Sequence, residues 1–135
     1  MVPVTIDLHD SLEDFRLATG QPWWVGAVGK GNAIDLAPLT VLTQGDGLER
    51  SVRIAMAGLL TSHALEDRPA WVRVGAARYF GTGQPAAAAD SRLRCPADAE
   101  LTLAISSAEQ REAERRAEAC FARAYERNKD WRSIR

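Results

Sequence analysis

Apolar and polar positions change their period several times along this chain, and each change marks an element. Residues 3–8 (PVTIDL) alternate and predict a strand. Ser11, with Asp14 three residues on, predicts the N-cap of a helix that carries Leu12, Phe15 and Leu17 and stops at Gly20. Pro22 opens a second predicted strand, WWVGAV, followed by a turn at Gly29, Gly31 and Asn32. Residues 33–36 (AIDL) form a third, which Pro38 ends or edges. Gly45, Asp46 and Gly47 then make a loop before a longer helical pattern.

That pattern places Leu48, Val52, Met56, Leu59, Leu60 and His63 on one side of a helix, as a core stripe. Ile54 and Gly58 lie four apart on the opposite side, with Ala55 beside them. A solvated helix back would carry Lys, Glu or Gln there, so this face is either covered by another element or lines a cleft. Arg68 and Pro69 separate a second helix, whose buried side is expected to hold Trp71, Val72, Gly75, Ala76, Tyr79 and Phe80, and which Gly81 and Gly83 end. Residues 81–94 read as a surface excursion. A C-terminal helical section of about 95–135 begins at Cys95 and Pro96. In it Ser106 or Ser107 caps a long helix reaching about Arg127, with Ala113, Ala117, Cys120, Phe121, Ala124 and Tyr125 as its stripe. Trp131 and Ile134 are expected to dock the tail. The order predicts one α+β domain over 1–135, with a small, mostly antiparallel sheet, a central helix pair and a C-terminal helix.

Composition narrows the function classes. A chain of 135 residues buries a real core without a metal to hold it. The net charge is −1, which gives no electrostatic footprint for nucleic acid. No apolar run has the length of a membrane span. No signal peptide is visible ahead of the first strand, which suggests a trimmed chain or a cytoplasmic protein. Cys95 and Cys120 have neither zinc-site nor redox-motif spacing. Two buried free thiols, or a disulfide in a domain of exported or periplasmic origin, account for them equally well.

The stretch LERSVRIAMAGLLTSHALEDRPAWVRVGAARYF, from Leu48 to Phe80, resembles the active-site core of a gluzincin (thermolysin-like) zinc metallopeptidase. In that family the first helix carries H-E-x-x-H and the second supplies a ligand Glu within W-x-x-E-G-x-A-x-Y-F. Trp71, Gly75, Ala77, Tyr79 and Phe80 match the second pattern, and Gly58 and Val74 are sixteen residues apart, a spacing similar to that of the second His and the ligand Glu in compact members. Ile54, Ala55, Gly58 and Val74 stand where His, Glu, His and Glu would stand. The resemblance implies the helix-pair fold, and it implies that the strand Ala33–Leu36 is the edge that aligns extended substrate.

It also implies a lost activity. A catalytic zinc needs about three protein ligands and an open water position, with the intervening Glu as base. Apolar side chains can neither coordinate zinc nor accept a proton, so no metal, no cofactor and no peptidase chemistry are expected. The four replacements are small or apolar and would turn a polar metal site into an apolar pocket for a small ligand or a peptide. This pattern is that of a natural pseudoenzyme or of a re-engineered peptidase scaffold. Three function classes follow: an inactive binding or structural module, a metal-free enzyme acting on a small apolar substrate, and a plain interaction domain. For an enzyme, Asp35, His63 and Tyr79 are the catalytic candidates. His63 is read first as a packing or capping group, and His9 as structural. The oligomeric state is left open.

Overall fold

The computed structural model describes residues 3–83 and 94–135. Its strands are β1 (Thr5–Leu8), β2 (Ala27–Lys30) and β3 (Ala33–Leu36). Its α-helices are α1 (Leu12–Thr19), α2 (Leu39–Leu42), α3 (Leu48–Ser62), α4 (Ala70–Thr82), α5 (Asp98–Thr102) and α6 (Ser107–Asn128), and a 3₁₀ turn follows at Trp131–Ser133. This is an α+β fold with a small sheet and a long C-terminal helix.

The sheet corrects three expectations. Its order is β1-β3-β2, with β1 parallel and β2 antiparallel to β3, so it is mixed rather than mostly antiparallel. The α1 crossover permits this, since it carries the chain back before β2 and β3 are laid down. In consequence β3 is central and hydrogen-bonded on both sides, and Ala33–Leu36 is not an edge. β2 is the edge. The predicted second strand is also displaced. Trp23 and Trp24 form a turn in which Val25 N–H donates to Pro22 O at 3.1 Å, and the strand starts at Ala27. Gly31, with φ of 63°, opens the two-residue loop to β3, where a residue free of Cβ is needed.

One face of β3 is dry. Ile34 and Leu36 are fully buried with Leu42, and Val52, Ala55, Met56 and Leu59 of α3 pack on them. Leu48, Leu60 and His63, expected in the α3 stripe, are exposed instead. The reason is that α3 is covered on a second side by α4, and its fully buried positions are the small Ser51, Ala57 and Thr61. Two helices approach closely where side chains are small. A Cβ on Gly81 of α4 would lie 2.6 Å from the Ile54 Cα.

On its far side α4 packs against α6. Val72 and Ala76 join Leu65, Phe121 and Ile134 in one cluster, and Ala70 joins Leu101, Ala113 and Ala117 in another. Tyr79, Phe80, Phe121, Tyr125 and Trp131 form a chain of ring contacts at the end of this interface. Phe80, expected on the buried side, is 38% exposed, at the rim of that group. α6 starts where the sequence says: the Ser106 hydroxyl accepts from Glu109 N–H, and the Glu109 carboxylate accepts from Ile105 N–H. Cys120 of α6 is bonded to Cys95, with Cα atoms 5.7 Å apart. The excursion expected at 81–94 falls almost wholly outside the described residues, as does the run Ala86–Ala89; Gly81 and Thr82 extend α4 and Gly83 caps it with φ of 69°. Among the described residues no helix is long and apolar enough to cross a membrane.

Candidate functional site

An open cleft of about 850 Å³ lies between β2, α3, α4 and the first turns of α6. Ile54, Ala55, Gly58 and Val74 all line it. Helical period puts Ile54 and Gly58 on the α3 flank that meets α4, where a Cβ on Gly58 would sit 3.5 Å from that of Ala77, an ordinary contact. The helix pair is therefore tight at Gly81 and Ile54 and has room at Gly58. Ala55 and Val74 also touch the core, Ala55 beside Ile34 and Leu36, and Val74 beside Ala113 and Ala117. The floor of the cleft is thus an apolar surface continuous with two core clusters.

The cleft also has an unpaired strand edge. Ala37 N–H donates to Gly26 O at 2.9 Å, which sets the phase of the ladder. In an antiparallel pair the inward-bonding residues alternate. Val28 and Lys30 therefore turn their backbone groups to β3, and Ala27 and Gly29 turn theirs outward. Among the described residues no strand pairs with that edge. Gly29 has a second duty, because a Cβ there would approach Leu59 Cδ2 to 3.1 Å.

The polar end of the cleft centres on Arg78. Its guanidinium lies 3.5 Å from Asp46, 3.7 Å from Glu114 and 3.4 Å from Glu118. Burial pushes the Glu114 carboxyl above its ordinary range; Arg78 and a hydrogen bond from Gln110 oppose the shift, and Asp46 adds to it. A half-buried carboxylate held by a shared guanidinium and by Gln110 is a titratable group in a cleft, the kind of group that acid–base chemistry uses. Among the described residues no three His, Cys, Asp or Glu side chains converge as a metal site.

The three catalytic candidates lie elsewhere. Asp35 alternates to the opposite face of β3 from Ile34 and Leu36, where its Oδ1 meets His9 Nε2 at 2.9 Å. His63 is exposed beyond the end of α3. Tyr79 packs in the aromatic group, and burial there raises its phenol. None of them lines the cleft. Sequence reasoning passed over Trp24, Lys30, Asp46, Arg78, Arg111 and Glu114, which do. One signal was present: Arg73 and Arg78 are the only charges in the α4 run from Ala70 to Thr82. For Arg78 the partners are Asp46, ahead of α3, and Glu114 and Glu118 of α6. Comparison of the chain with family models, with curated proteins and with solved structures finds no match.

Proposed function

We propose that this chain is a metallopeptidase-like domain without metal chemistry, and that it binds an extended peptide in its cleft. One observation carries the reading. The four positions at which the sequence resembles a zinc site, all apolar here, border the same cleft as the free edge of β2. Ala27 and Gly29 supply two outward N–H and two outward C=O groups, the pattern that accepts an added strand. Ile54, Ala55 and Val74 offer an apolar floor to the side chains that point into the cleft. The family likeness rests on the Leu48–Phe80 pattern and on the close antiparallel packing of α3 and α4.

Two experiments test this. Capped extended peptides are titrated while Trp24 fluorescence is followed, and N-methyl groups are walked along a peptide that binds. A strand added to an edge loses affinity at alternate N-methyl positions only. Uniform sensitivity, or none, rejects edge pairing without any change to the protein. For the likeness, Ile54→His, Ala55→Glu, Gly58→His and Val74→Glu are combined. The folded quadruple variant is expected to bind one zinc, and failure to do so means that the helix pair lacks the gluzincin spacing.

A metal-free enzyme is the second reading, and Glu114 is the observation that favours it. Cleavage of a bound peptide that disappears in Glu114→Gln would select this reading. Saturable binding with no new products by mass spectrometry selects the first.

A further inference from the structure

We infer that the peptide which the cleft accepts is acidic; this rests on the peptide reading above. The whole chain carries a net charge of −1, yet the cleft is lined by Lys30, Arg73, Arg78 and Arg111 against only Asp46 and Glu114. Arg78 is neutralised where it stands, by Asp46, Glu114 and Glu118. Three cations remain. Lys30, Arg73 and Arg111 are exposed, and no described carboxylate is within ion-pair distance of any of them. Arg73 uses Nε to hold Arg68 O at 3.2 Å, which leaves its terminal nitrogens for a ligand.

The three come from three different elements. Lys30 ends β2, Arg73 lies in the first turn of α4, and Arg111 lies in the second turn of α6. They therefore ring the cleft instead of forming one solvated helix face. Two arginines further along α6 contrast with this: Arg115 is paired with Glu112 and Arg116 with Glu100, each at 2.8 Å. Arg115 and Arg116 are satisfied locally, and Lys30, Arg73 and Arg111 are not. The α6 N-terminal turn, which borders the cleft at Ser107 and Gln110, adds the positive end of a 22-residue helix.

Among the described residues, the buried side-chain atoms lacking a hydrogen-bond partner are Trp24 Nε1 and Arg78 Nε, and both belong to the cleft wall. Arg78 Nε lies 3.4 Å from a Glu118 oxygen, close enough for charge attraction but without hydrogen-bond alignment. Both atoms are donors. Both are sealed from solvent, so it is the three exposed cations that the wall offers to carboxylate oxygens. The ligand that meets both this wall and the β2 edge is an extended segment with Asp or Glu side chains beside apolar ones.

The test uses one extended peptide sequence in three versions, with Glu, Gln or Lys at the same positions, each titrated at low and at high salt. Exposed ion pairs of this kind favour the Glu version over Gln by about five-fold at low salt, and salt shrinks the gap. The double variant Lys30→Glu/Arg111→Glu is expected to reverse the order, with the Lys version binding best. These rim side chains hold no packing contact in the core, and circular dichroism reports whether the variant folds. Equal affinity of Glu and Gln peptides at low salt overturns the acidic inference and leaves the peptide reading standing. If no version binds, the peptide reading fails, and this inference fails with it. An acidic preference unchanged in the double variant also overturns the inference, because it places the charge recognition elsewhere.

Discussion

Helix α4 has a closed flank and an open one, and glycine stands on both. Toward α6, a Cβ on Gly75 would lie 2.5 Å from Ala117 O and 2.6 Å from Phe121 Cβ, so the helix backbones touch. Toward the cleft, a Cβ on Gly58 of α3 would meet only Ala77, at 3.5 Å. The same residue type therefore reports close packing in one place and spare room in the other. A glycine within a helix costs about 1 kcal/mol against alanine in both cases. On the closed flank the contact it allows offsets that cost. On the open flank no contact does so, which is why the cleft reading gives Gly58 its purpose.

The comparison can be broken by substitution. The largest effect is expected at the staple of the closed flank. Replacing both Cys95 and Cys120 by Ser should lower stability by about 3 kcal/mol in the chain-entropy model, read from urea midpoints. An unchanged midpoint would mean that the α6 flank is held by packing alone. Next comes Gly75→Ala, expected to cost about 2 kcal/mol because a backbone carbonyl cannot step aside. Gly58→Ala should go the other way and stabilise by up to about 1 kcal/mol. Were the two glycine variants to shift the midpoint in the same direction, the contrast between the flanks would be lost.

The smallest effects concern two glutamates. Glu100, near the closed flank, accepts from Arg94, Arg116 and Ala97 N–H, and these bonds draw its carboxyl from 4.5 down to about 2. Its contribution is present above pH 4.5 and is lost as pH falls through about 2. Glu114, in the cleft, is raised by burial, so its sign is opposite: the stability linked to it is full below the ordinary carboxylate value and declines as pH rises through the raised one. Glu100→Gln should flatten the acid limb of a stability profile, and Glu114→Gln should remove a decline above it. A Glu114→Gln profile parallel to that of the unmodified chain would place that carboxyl in water.

What the sequence disclosed and what it hid separate by distance along the chain. The caps at Ser11, Gly20 and Ser106, the strand at 33–36 and the helices from Leu48 and Ala70 are local, and local spacing is enough to read them. The strand expected at 23–28 starts only at Ala27, because Trp23, Trp24 and Val25 are as apolar as a strand while Pro22 sets up a turn that hydropathy does not record. Pro38 lies just past the end of β3, as its position suggests, and it is also the cap of the short α2, which the spacing does not announce. The parallel pairing of β1 with β3, and the meeting of Arg78 with Asp46, Glu114 and Glu118, depend on residues far apart in sequence. For the cleft, the apolar spacing of Ile54, Ala55, Gly58 and Val74 was legible. Its cationic rim was not, because each charge comes from a different element.

The outward-turned backbone groups of Ala27 and Gly29 have a consequence for the chain's behaviour in solution. An edge that accepts one strand accepts any strand of suitable shape, including the same edge of a second molecule. If a peptide pairs there as proposed, its occupancy and self-association draw on one pool of free edges. By mass action, each weakens the other, so the apparent peptide affinity falls as protein concentration rises, and saturating peptide disperses whatever self-paired species exist. The shortness of β2 and the cation at its end limit the self-paired state, since two copies brought together edge to edge bring two Lys30 side chains into the same small region.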